Sequence, residues 1–203
     1  MDIQFNNLRQ EKDAIGVVFC DNKCRLIGFG KKLDQLSKKH ISNIIKSDIS
    51  FQERNSKNFD YSIIHQPVNL KLSKLYVFKL KNFKDYQIRD FQVLGGHLNS
   101  LIKFYKETNV IVYPDGISSS KVGSLNAISE MILGMSLASY SFTKYFSKKD
   151  DKKNQSKTKK KKIKVYSSQH TRLSKNYESI NAIYQGVTLT RNLVTEPPNV
   201  MTP

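Results

Sequence analysis

The stretch that decides the fold runs from residue 109 to residue 142 and reads NVIVYPDGISSSKVGSLNAISEMILGMSLASYSF. Its first five residues, Asn109 to Tyr113, form a mostly apolar run with three β-branched residues, and the turn residues Pro114, Asp115 and Gly116 end it. From Lys121 to about Phe142, apolar side chains recur at spacings of three and four, which predicts a helix buried on much of its circumference. A buried strand followed by a helix is the repeating unit of an α/β layer structure.

Strand and helix patterns alternate on both sides of this unit. Strands are predicted at residues 14–20, 61–65, 75–80 and 163–166, with residues 25–29 as the second arm of a hairpin after the first strand. Helices are predicted at residues 32–46, at 86–105 with an interruption at Gly95 and Gly96, and at 174–194 with Ser174 as N-cap. The predicted fold class is therefore α/β, with three layers in which helices flank a mixed sheet.

Length and composition indicate one folded domain with room for an insertion or tail. The chain has 203 residues, of which 38% are hydrophobic, and this is enough to form one core. No apolar run approaches the roughly 18 residues needed to cross a bilayer, and the opening MDIQFNNLRQEKD lacks the pattern of a secretory signal. We therefore expect a cytoplasmic protein with no membrane partner.

Much of the net charge of +17 is concentrated in one segment. Between Lys148 and Lys164 there are ten lysines against Asp150 and Asp151. Such a run attracts phosphate backbones, but it contains no arginine for base readout and no aromatic residue for base stacking. Two interpretations stay open: a solvated insertion, which the composition favours, and a segment that binds nucleic acid.

No pattern of metal ligands is recognisable in the sequence. Cys20 and Cys24 are the only cysteines, and without a second pair they are interpreted as reduced structural thiols. Acidic residues are thinly spread, whereas a two-metal centre needs several carboxylates that converge. The four histidines lack the spacing of two ligands on one helical face. They are His40, His65, His97 and His170.

Two other patterns match catalytic or binding motifs only in part. The turn from Gly28 through Gly30 to Lys31 could cradle a phosphate, but it lacks the third glycine and the Lys-Ser/Thr ending, so a strand-to-helix turn is the favoured interpretation. Residues 118–120 are three serines without the glycine spacing of a nucleophile elbow, and we expect Ser119 or Ser120 to cap the next helix. The sequence thus predicts no catalytic, cofactor-binding or metal-binding residue.

The end of the chain, residues 186–203, reads GVTLTRNLVTEPPNVMTP and resembles a signature of the leucyl (cytosol) aminopeptidase family. In that family, Ala-Arg-Asp-Leu-Val-Asn-x-Pro-x-Asn-x-x-Thr-Pro leads from the N-terminal domain into the catalytic domain. Asn192 stands where the family usually has Asp, and Thr195 stands where Asn is common. The positions that agree are Arg191, Leu193, Pro197, Asn199, Thr202 and Pro203.

A second stretch supports the resemblance. Residues 129–145 are similar to a family helix that ends in Leu-Ala-Ser-Tyr-x-Phe-x-x-Tyr-Lys, and here Leu137, Ser139, Tyr140 and Phe142 keep the order and the spacing. A weaker similarity lies at residues 75–80, where the family has a hydrophobic strand ending in Gly-Leu-Gly and this sequence lacks the glycines. Together the similarities extend over nearly the whole chain.

The resemblance implies a domain that carries no active site of its own. Residues 1–172 would form an N-terminal α/β domain similar to a macro domain, with the lysine-rich insertion at about 148–164 before the last strand. Residues 173–203 would form the final helix and a linker towards a catalytic domain that is missing from this chain. In the family, that domain removes N-terminal amino acids from peptides with two divalent metal ions, manganese or zinc, and the protein forms a homohexamer. This chain alone is predicted to be inactive.

Two alternatives of another class accompany this hypothesis. The chain could be a stand-alone basic module that binds nucleic acid through its lysine-rich segment, and some bacterial members of the family bind DNA through surfaces that include the N-terminal domain. A macro-type cleft for ADP-ribose-like ligands rests on fold analogy alone.

Overall fold

A computed structural model of the chain describes residues 2–53, 59–142 and 162–196. Six strands form one sheet in the order β1-β6-β5-β2-β4-β3. Neighbouring strands are parallel except β3, which pairs antiparallel with β4, so the prediction of a mixed sheet is confirmed. The strands are β1 (Asp2–Asn6), β2 (Ile15–Cys20), β3 (Asp60–His65), β4 (Lys74–Lys79), β5 (Asn109–Val112) and β6 (Lys162–Tyr166).

Helices cover both faces of the sheet, which confirms the three-layer arrangement. The helices are α1 (Phe29–Leu36), α2 (His40–Ser47), α3 (Ile49–Glu53), α4 (Ile88–Phe104), α5 (Ser124–Ala138) and α6 (His170–Thr195), with a 3₁₀ turn at Phe83–Asp85. Strand β2 is buried along its whole length, and its alternate side chains enter two different cores. Val17 joins Leu94 of α4 and Met131 of α5 in one core. Val18 joins Leu33 of α1 in the other.

Helices α4 and α5 approach each other closely at two glycines. A Cβ atom on Gly134 would lie 2.0 Å from the carbonyl oxygen of Gln92, and one on Gly95 would lie 1.9 Å from that of Met131. Glycine is therefore required at both positions for the helix backbones to touch. The sequence predicted an interruption of this helix at Gly95 and Gly96. The structure shows none, because α4 is continuous from Ile88 to Phe104.

The predicted hairpin after β2 is much shorter than expected. Cys20 and Leu26 form a single antiparallel bridge, flanked by hydrogen bonds from the amide of Asp21 to the carbonyl oxygen of Arg25 and from the amide of Ile27 to that of Phe19, both at 3.0 Å, and α1 begins at Phe29. The carboxylate of Asp21 accepts hydrogen bonds from the amides of Lys23 and Arg25, both at 2.9 Å, which winds the segment into a local turn. The strand pattern at residues 25–29 therefore belongs to a turn and a helix start.

Several predicted helix boundaries also need correction. The helix expected at residues 32–46 is divided into α1 and α2, because Lys38 and Lys39 adopt positive φ angles of 52° and 63°. The last helix begins at His170 and not at Ser174, so Ser174 is not its N-cap. Gly123, not a serine, precedes α5 as N-cap. The hydroxyl of Ser119 instead accepts a hydrogen bond from the amide of Val122 at 2.9 Å.

The predicted lysine-rich segment at 148–164 overlaps a strand. Lys162 and Lys164 belong to β6, so the insertion is shorter at that end than the composition suggested. The remainder of the segment lies outside the described residues, as do residues 197–203 with the proline-containing end of the family signature. Among the helices that the structure describes, none combines the length and apolarity that crossing a membrane requires.

Candidate functional site

The two stretches that carry the family resemblance meet in space. The hydroxyl of Tyr140, just after α5, donates a hydrogen bond to Oδ1 of Asn192 in the last turn of α6 at 2.8 Å. Nη1 of Arg191 donates to the carbonyl oxygen of Leu137 at 2.9 Å. The Arg191 guanidinium also lies over the Tyr140 ring, with Cζ 5.4 Å from the centroid. We call these four residues, Leu137, Tyr140, Arg191 and Asn192, the α5–α6 lock.

The lock provides a hydrogen-bond partner for a carbonyl group at the end of α5. Leu137 lies in the last turn of α5, where carbonyl groups have no partner within the helix and the helix dipole is negative. The Arg191 cation supplies both a donor and a positive charge at this point. An arginine over a tyrosine face adds a cation–π attraction of about 0.5–1 kcal/mol at an exposed site. The lock therefore fixes where the far end of α6 lies relative to α5.

In the second half of α6, the described part of the chain leaves most side chains exposed. The first half packs on α5 and β1, where Leu173 joins a small core with Ile128 and Ile132 of α5. Leu173 and Ile180 are 1% and 7% exposed. No residue after Ile180 in this helix is buried. The large apolar side chains that it exposes there are Ile183, Leu189, Leu193 and Val194, at 53%, 60%, 49% and 81%.

A shallow groove of about 560 Å³ follows this exposed half. Ile183, Val187, Thr190 and Val194 lie at spacings of three and four along it, so they share one side of the helix. Gly186 leaves the groove floor open, since a Cβ atom there would meet nothing within 4 Å. The exposed half of α6 thus offers an apolar strip with the geometry of a helix–helix or helix–domain contact.

No pattern in the sequence indicates this exposure, because the apolar spacing of α6 continues through both halves.

One lysine near the end of the lysine-rich segment makes a contact within the folded domain. Nζ of Lys164 lies 2.5 Å from Glu11, and the Tyr166 hydroxyl binds the same carboxylate. Burial alone would raise the pKa of Glu11, but these hydrogen bonds outweigh it and lower the pKa. Lys164 is therefore engaged in an internal ion pair.

The histidines and cysteines do not converge on one site. His40 begins α2, His65 ends β3, His97 lies within α4 and His170 begins α6. Cys20 and Cys24 are both buried, and burial raises the pKa of each thiol, which favours the inert protonated form. In residues 2–53, 59–142 and 162–196, no group of three or more His, Cys, Asp or Glu side chains could hold a metal ion. These residues do not fit a two-metal centre.

The glycine-containing turn at residues 28–31 is a strand-to-helix turn, as predicted, and two of its amides already have hydrogen-bond partners. The amides of Gly30 and Lys31 donate to the carbonyl oxygens of Ile27 and Gly28, at 3.1 and 3.2 Å, so both are already used. A Cβ atom on Gly28 would lie 1.6 Å from the carbonyl oxygen of Asp115, because the loops after β2 and β5 touch there. These loops meet at the carboxyl edge of the sheet, where an α/β fold usually leaves a cleft for its ligand.

Comparisons with known proteins point to one family. No family model matches the chain. A probable cytosol aminopeptidase of Rhizobium leguminosarum is 31% identical over 137 residues, which is 68% of this chain and 27% of that protein. A probable cytosol aminopeptidase of Gluconobacter oxydans is 42% identical over 71 residues, or 35% of this chain and 14% of that protein. The chain thus spans about a quarter of the length of the curated relatives that it matches first.

Solved structures confirm the fold. A mutant of tomato leucine aminopeptidase superposes over 100% of this chain and 40% of its own, with a TM-score of 0.66 and 15% identity. A macrodomain mutant of Oceanobacillus iheyensis superposes over 96% of this chain and 93% of its own, with a TM-score of 0.54 and 9% identity. From its sequence similarity and from the two matching stretches that meet in the α5–α6 lock, we conclude that the chain belongs to the cytosol aminopeptidase family.

Proposed function

We propose that this chain is the N-terminal, non-catalytic domain of a cytoplasmic, metal-dependent leucyl aminopeptidase, and that it serves domain packing and oligomer assembly. The whole protein would remove N-terminal amino acids from peptides during intracellular protein turnover. The observation that carries the proposal is the end of α6, which the α5–α6 lock holds in place while its apolar side chains stay uncovered. In this proposal, the catalytic domain of the same polypeptide packs against that end.

The energetics favour a partner for this half of the helix. Isolated helices of 12 to 15 residues or fewer are marginal in water, and most helix stability in proteins comes from packing. Covering a Val, Leu or Ile side chain contributes roughly 1.5–3 kcal/mol relative to leaving it exposed. A partner that covers this half of the helix would contribute part of this stabilisation at each of four exposed side chains, those of Ile183, Leu189, Leu193 and Val194. A domain attached directly after α6 is well placed to cover them.

The metal chemistry is assigned to the catalytic domain. Two divalent ions, manganese or zinc in the family, would activate water and polarise the scissile carbonyl there. The described residues of this chain do not supply a set of ligands for them, and no step of the reaction is assigned to this chain. In this proposal, the chain positions the catalytic domain and contributes to oligomer assembly.

Peptidase assays test the non-catalytic assignment. The purified 203-residue chain, with manganese or zinc added, is expected to release no leucine from a leucyl peptide. The polypeptide read through the codons that follow Pro203 is expected to release leucine under the same conditions. Leucine release by the 203-residue chain would overturn the assignment, and a reading frame that stops at Pro203 would remove its proposed partner.

A second candidate function is nucleic-acid binding through the segment from Lys148 to Lys164. The concentration of ten lysines in this segment favours it, although Lys164 is already paired with Glu11. Deleting residues 148–161 leaves β6 intact and removes eight of these lysines. If the segment binds, the deletion lowers the affinity for duplex DNA and flattens its dependence on salt. An unchanged affinity and salt dependence would eliminate this function.

A further inference from the structure

Helices α1 and α2 and the turn between them expose a cluster of lysines. Five of the sixteen residues from 31 to 46 are lysines, and Asp34 is the one acidic residue among them. Each of the five lysines is exposed, and within the described part of the chain none of them forms an ion pair with a carboxylate. We call this surface the α1–α2 basic face. Its lysines are Lys31, Lys32, Lys38, Lys39 and Lys46.

The acidic residues beside these lysines are only partly exposed, and their carboxylates accept local hydrogen bonds. Asp34 accepts from the amide of Ser42 at 2.9 Å and also from the Ser42 hydroxyl. Asp48, which follows α2, accepts from the hydroxyl of Ser50 at 2.7 Å and from the amide of Phe51 at 2.9 Å. The exposed charged residues of α1, α2 and the turn between them are therefore all positive.

The fold holds the α1–α2 basic face in a fixed arrangement. Leu33 of α1 and Ile41 and Ile45 of α2 are fully buried in the core that these helices share with the sheet. The hydrogen bond from the Ser42 amide to Asp34 joins α1 to α2. Each helix has eight residues, so each is about 12 Å long. The lysines thus lie on the solvent side of a packed two-helix surface.

The other side chains of the face indicate the chemistry of its partner. Gln35, Asn43 and Ser47 are exposed between the lysines, and these residue types donate hydrogen bonds to phosphate oxygens. Residues 29–52 contain no arginine for bidentate base readout, and both of their phenylalanines are buried, so no aromatic ring is exposed for base stacking. Such a surface fits the phosphate backbones on the outside of a duplex.

A lipid surface fits this face less well. Helices that bind a membrane surface bury apolar side chains between the lipids. The apolar side chains of α1 and α2 are instead directed mostly into the core. Leu36, 45% exposed, is the only large apolar residue of these two helices that is exposed. The charge and the polar side chains therefore favour a duplex over a lipid surface.

We propose that the α1–α2 basic face binds the phosphate backbones of a nucleic-acid duplex without sequence preference. A lysine that neutralises a phosphate releases a condensed counterion, so the logarithm of the affinity falls by about 0.9 per contact for each tenfold rise in salt. Five contacts contribute about −4.5 to this slope, and binding of this kind has a dissociation constant of roughly 10⁻⁴ to 10⁻⁶ M at physiological salt.

This face is distinct from the surfaces that the proposed function uses. It lies on α1 and α2, away from the end of α6 that is proposed to meet the catalytic domain. It also differs from the segment at residues 148–164, so deleting residues 148–161 would leave the α1–α2 basic face in place. Either proposal can therefore fail while the other stands.

Fluorescence anisotropy with a labelled DNA duplex, measured on the 203-residue chain over a range of salt concentrations, tests the assignment. K32Q/K46Q removes one exposed lysine from each helix and keeps polar side chains there. Its salt slope is expected to be less steep than that of the wild type by about 1.8, because two phosphate contacts are lost. K103Q/K106Q removes two exposed lysines at the end of α4, on the other side of the sheet. This matched control changes the net charge equally and should keep the wild-type slope.

Three results would refute the proposal. Equal flattening of the slope in both variants would show that net charge alone attracts the duplex. An unchanged slope in K32Q/K46Q, or a wild-type chain that does not bind the duplex, would show that the face makes no phosphate contacts. Binding to vesicles of phosphatidylcholine and phosphatidylserine that K32Q/K46Q abolishes, without binding to the duplex, would assign the face to lipid. Two duplexes of unrelated sequence are expected to bind with equal affinity.

Discussion

Helices α5 and α6 carry the two matching stretches of the family, yet they are stabilised in opposite ways. Nine of the fifteen residues of α5 are buried, and its backbone touches that of α4 at Gly134. Only Leu173 and Ile180 are buried among the 26 residues of α6, whose far end is held by the α5–α6 lock. Packing therefore fixes α5 within this chain, whereas a few polar contacts orient the far end of α6 and leave its apolar strip exposed.

The largest expected effect lies in the packed helix. In G134A, the added Cβ atom would sit 2.0 Å from the Gln92 carbonyl oxygen, so the two helix backbones must separate. We expect the free energy of unfolding to fall by about 3 kcal/mol, at the upper end of the usual cost of overpacking. Chemical denaturation measures this change. G96A is the matched control, because its Cβ atom would meet only Ala138 at 3.9 Å; an equal loss in both variants would contradict the close-contact explanation.

The next largest effect lies in the lock. R191A removes the hydrogen bond to Leu137 and the contact with the Tyr140 ring. We expect a loss of about 1–2 kcal/mol, concentrated in the end of α6 because few other contacts hold it. Amide hydrogen exchange should accelerate after residue 186 and stay unchanged in α5. Arg172 is an exposed arginine in the first turn of the same helix, so R172A should change neither the free energy of unfolding nor the amide exchange after residue 186. Similar effects of the two variants would argue against a lock.

A smaller effect separates the two components of the lock. Y140F keeps the ring under the Arg191 guanidinium and removes only the hydrogen bond to Asn192. We expect a loss of about 1 kcal/mol, the usual net value of one hydrogen bond. N192D, which restores the residue usual in the family, should retain the bond, because a carboxylate also accepts from the tyrosine hydroxyl. Greater destabilisation by N192D than by Y140F would show that the bond is assigned wrongly.

The smallest expected effect is an increase in stability. G186A lies in the uncovered half of α6, where a Cβ atom would meet nothing within 4 Å. Alanine favours helix over glycine by up to about 1 kcal/mol, so we expect slower amide exchange between residues 183 and 190 and a slightly higher melting temperature. A loss of stability in the 203-residue chain would show that this surface is already occupied.

The sequence predicted the layers of the fold better than the details that position the candidate site. Periodicity located the strands at β2, β3, β4, β5 and β6, because buried strands and amphipathic helices carry local signals. Strand β1 was missed: DIQFN is short and partly polar, and it becomes a strand by pairing with β6, about 160 residues later in the chain. The division between α1 and α2 was also missed, since lysines and not glycines adopt the positive φ angles there.

The residues of the α5–α6 lock were visible in the sequence only as matches to a family pattern. Tyr140 and Arg191 are 51 positions apart, and no local rule predicts that the tyrosine ring lies under the guanidinium. The exposure of α6 was equally invisible, because an apolar spacing does not show which side chains find a neighbour. What the sequence did predict for this region, a helix that ends at Val194, is confirmed to within one residue, because α6 ends at Thr195.

Hydrogen exchange along α6, measured on the 203-residue chain and on a polypeptide that continues into the proposed catalytic domain, tests the proposed junction. In the 203-residue chain, amides between residues 183 and 195 are expected to exchange much faster than those between residues 173 and 182. In a polypeptide that continues into the proposed catalytic domain, which would cover Ile183 and Val194, the same amides are expected to become protected. Equal exchange of this end of α6 in both proteins would contradict the claim that it is a junction.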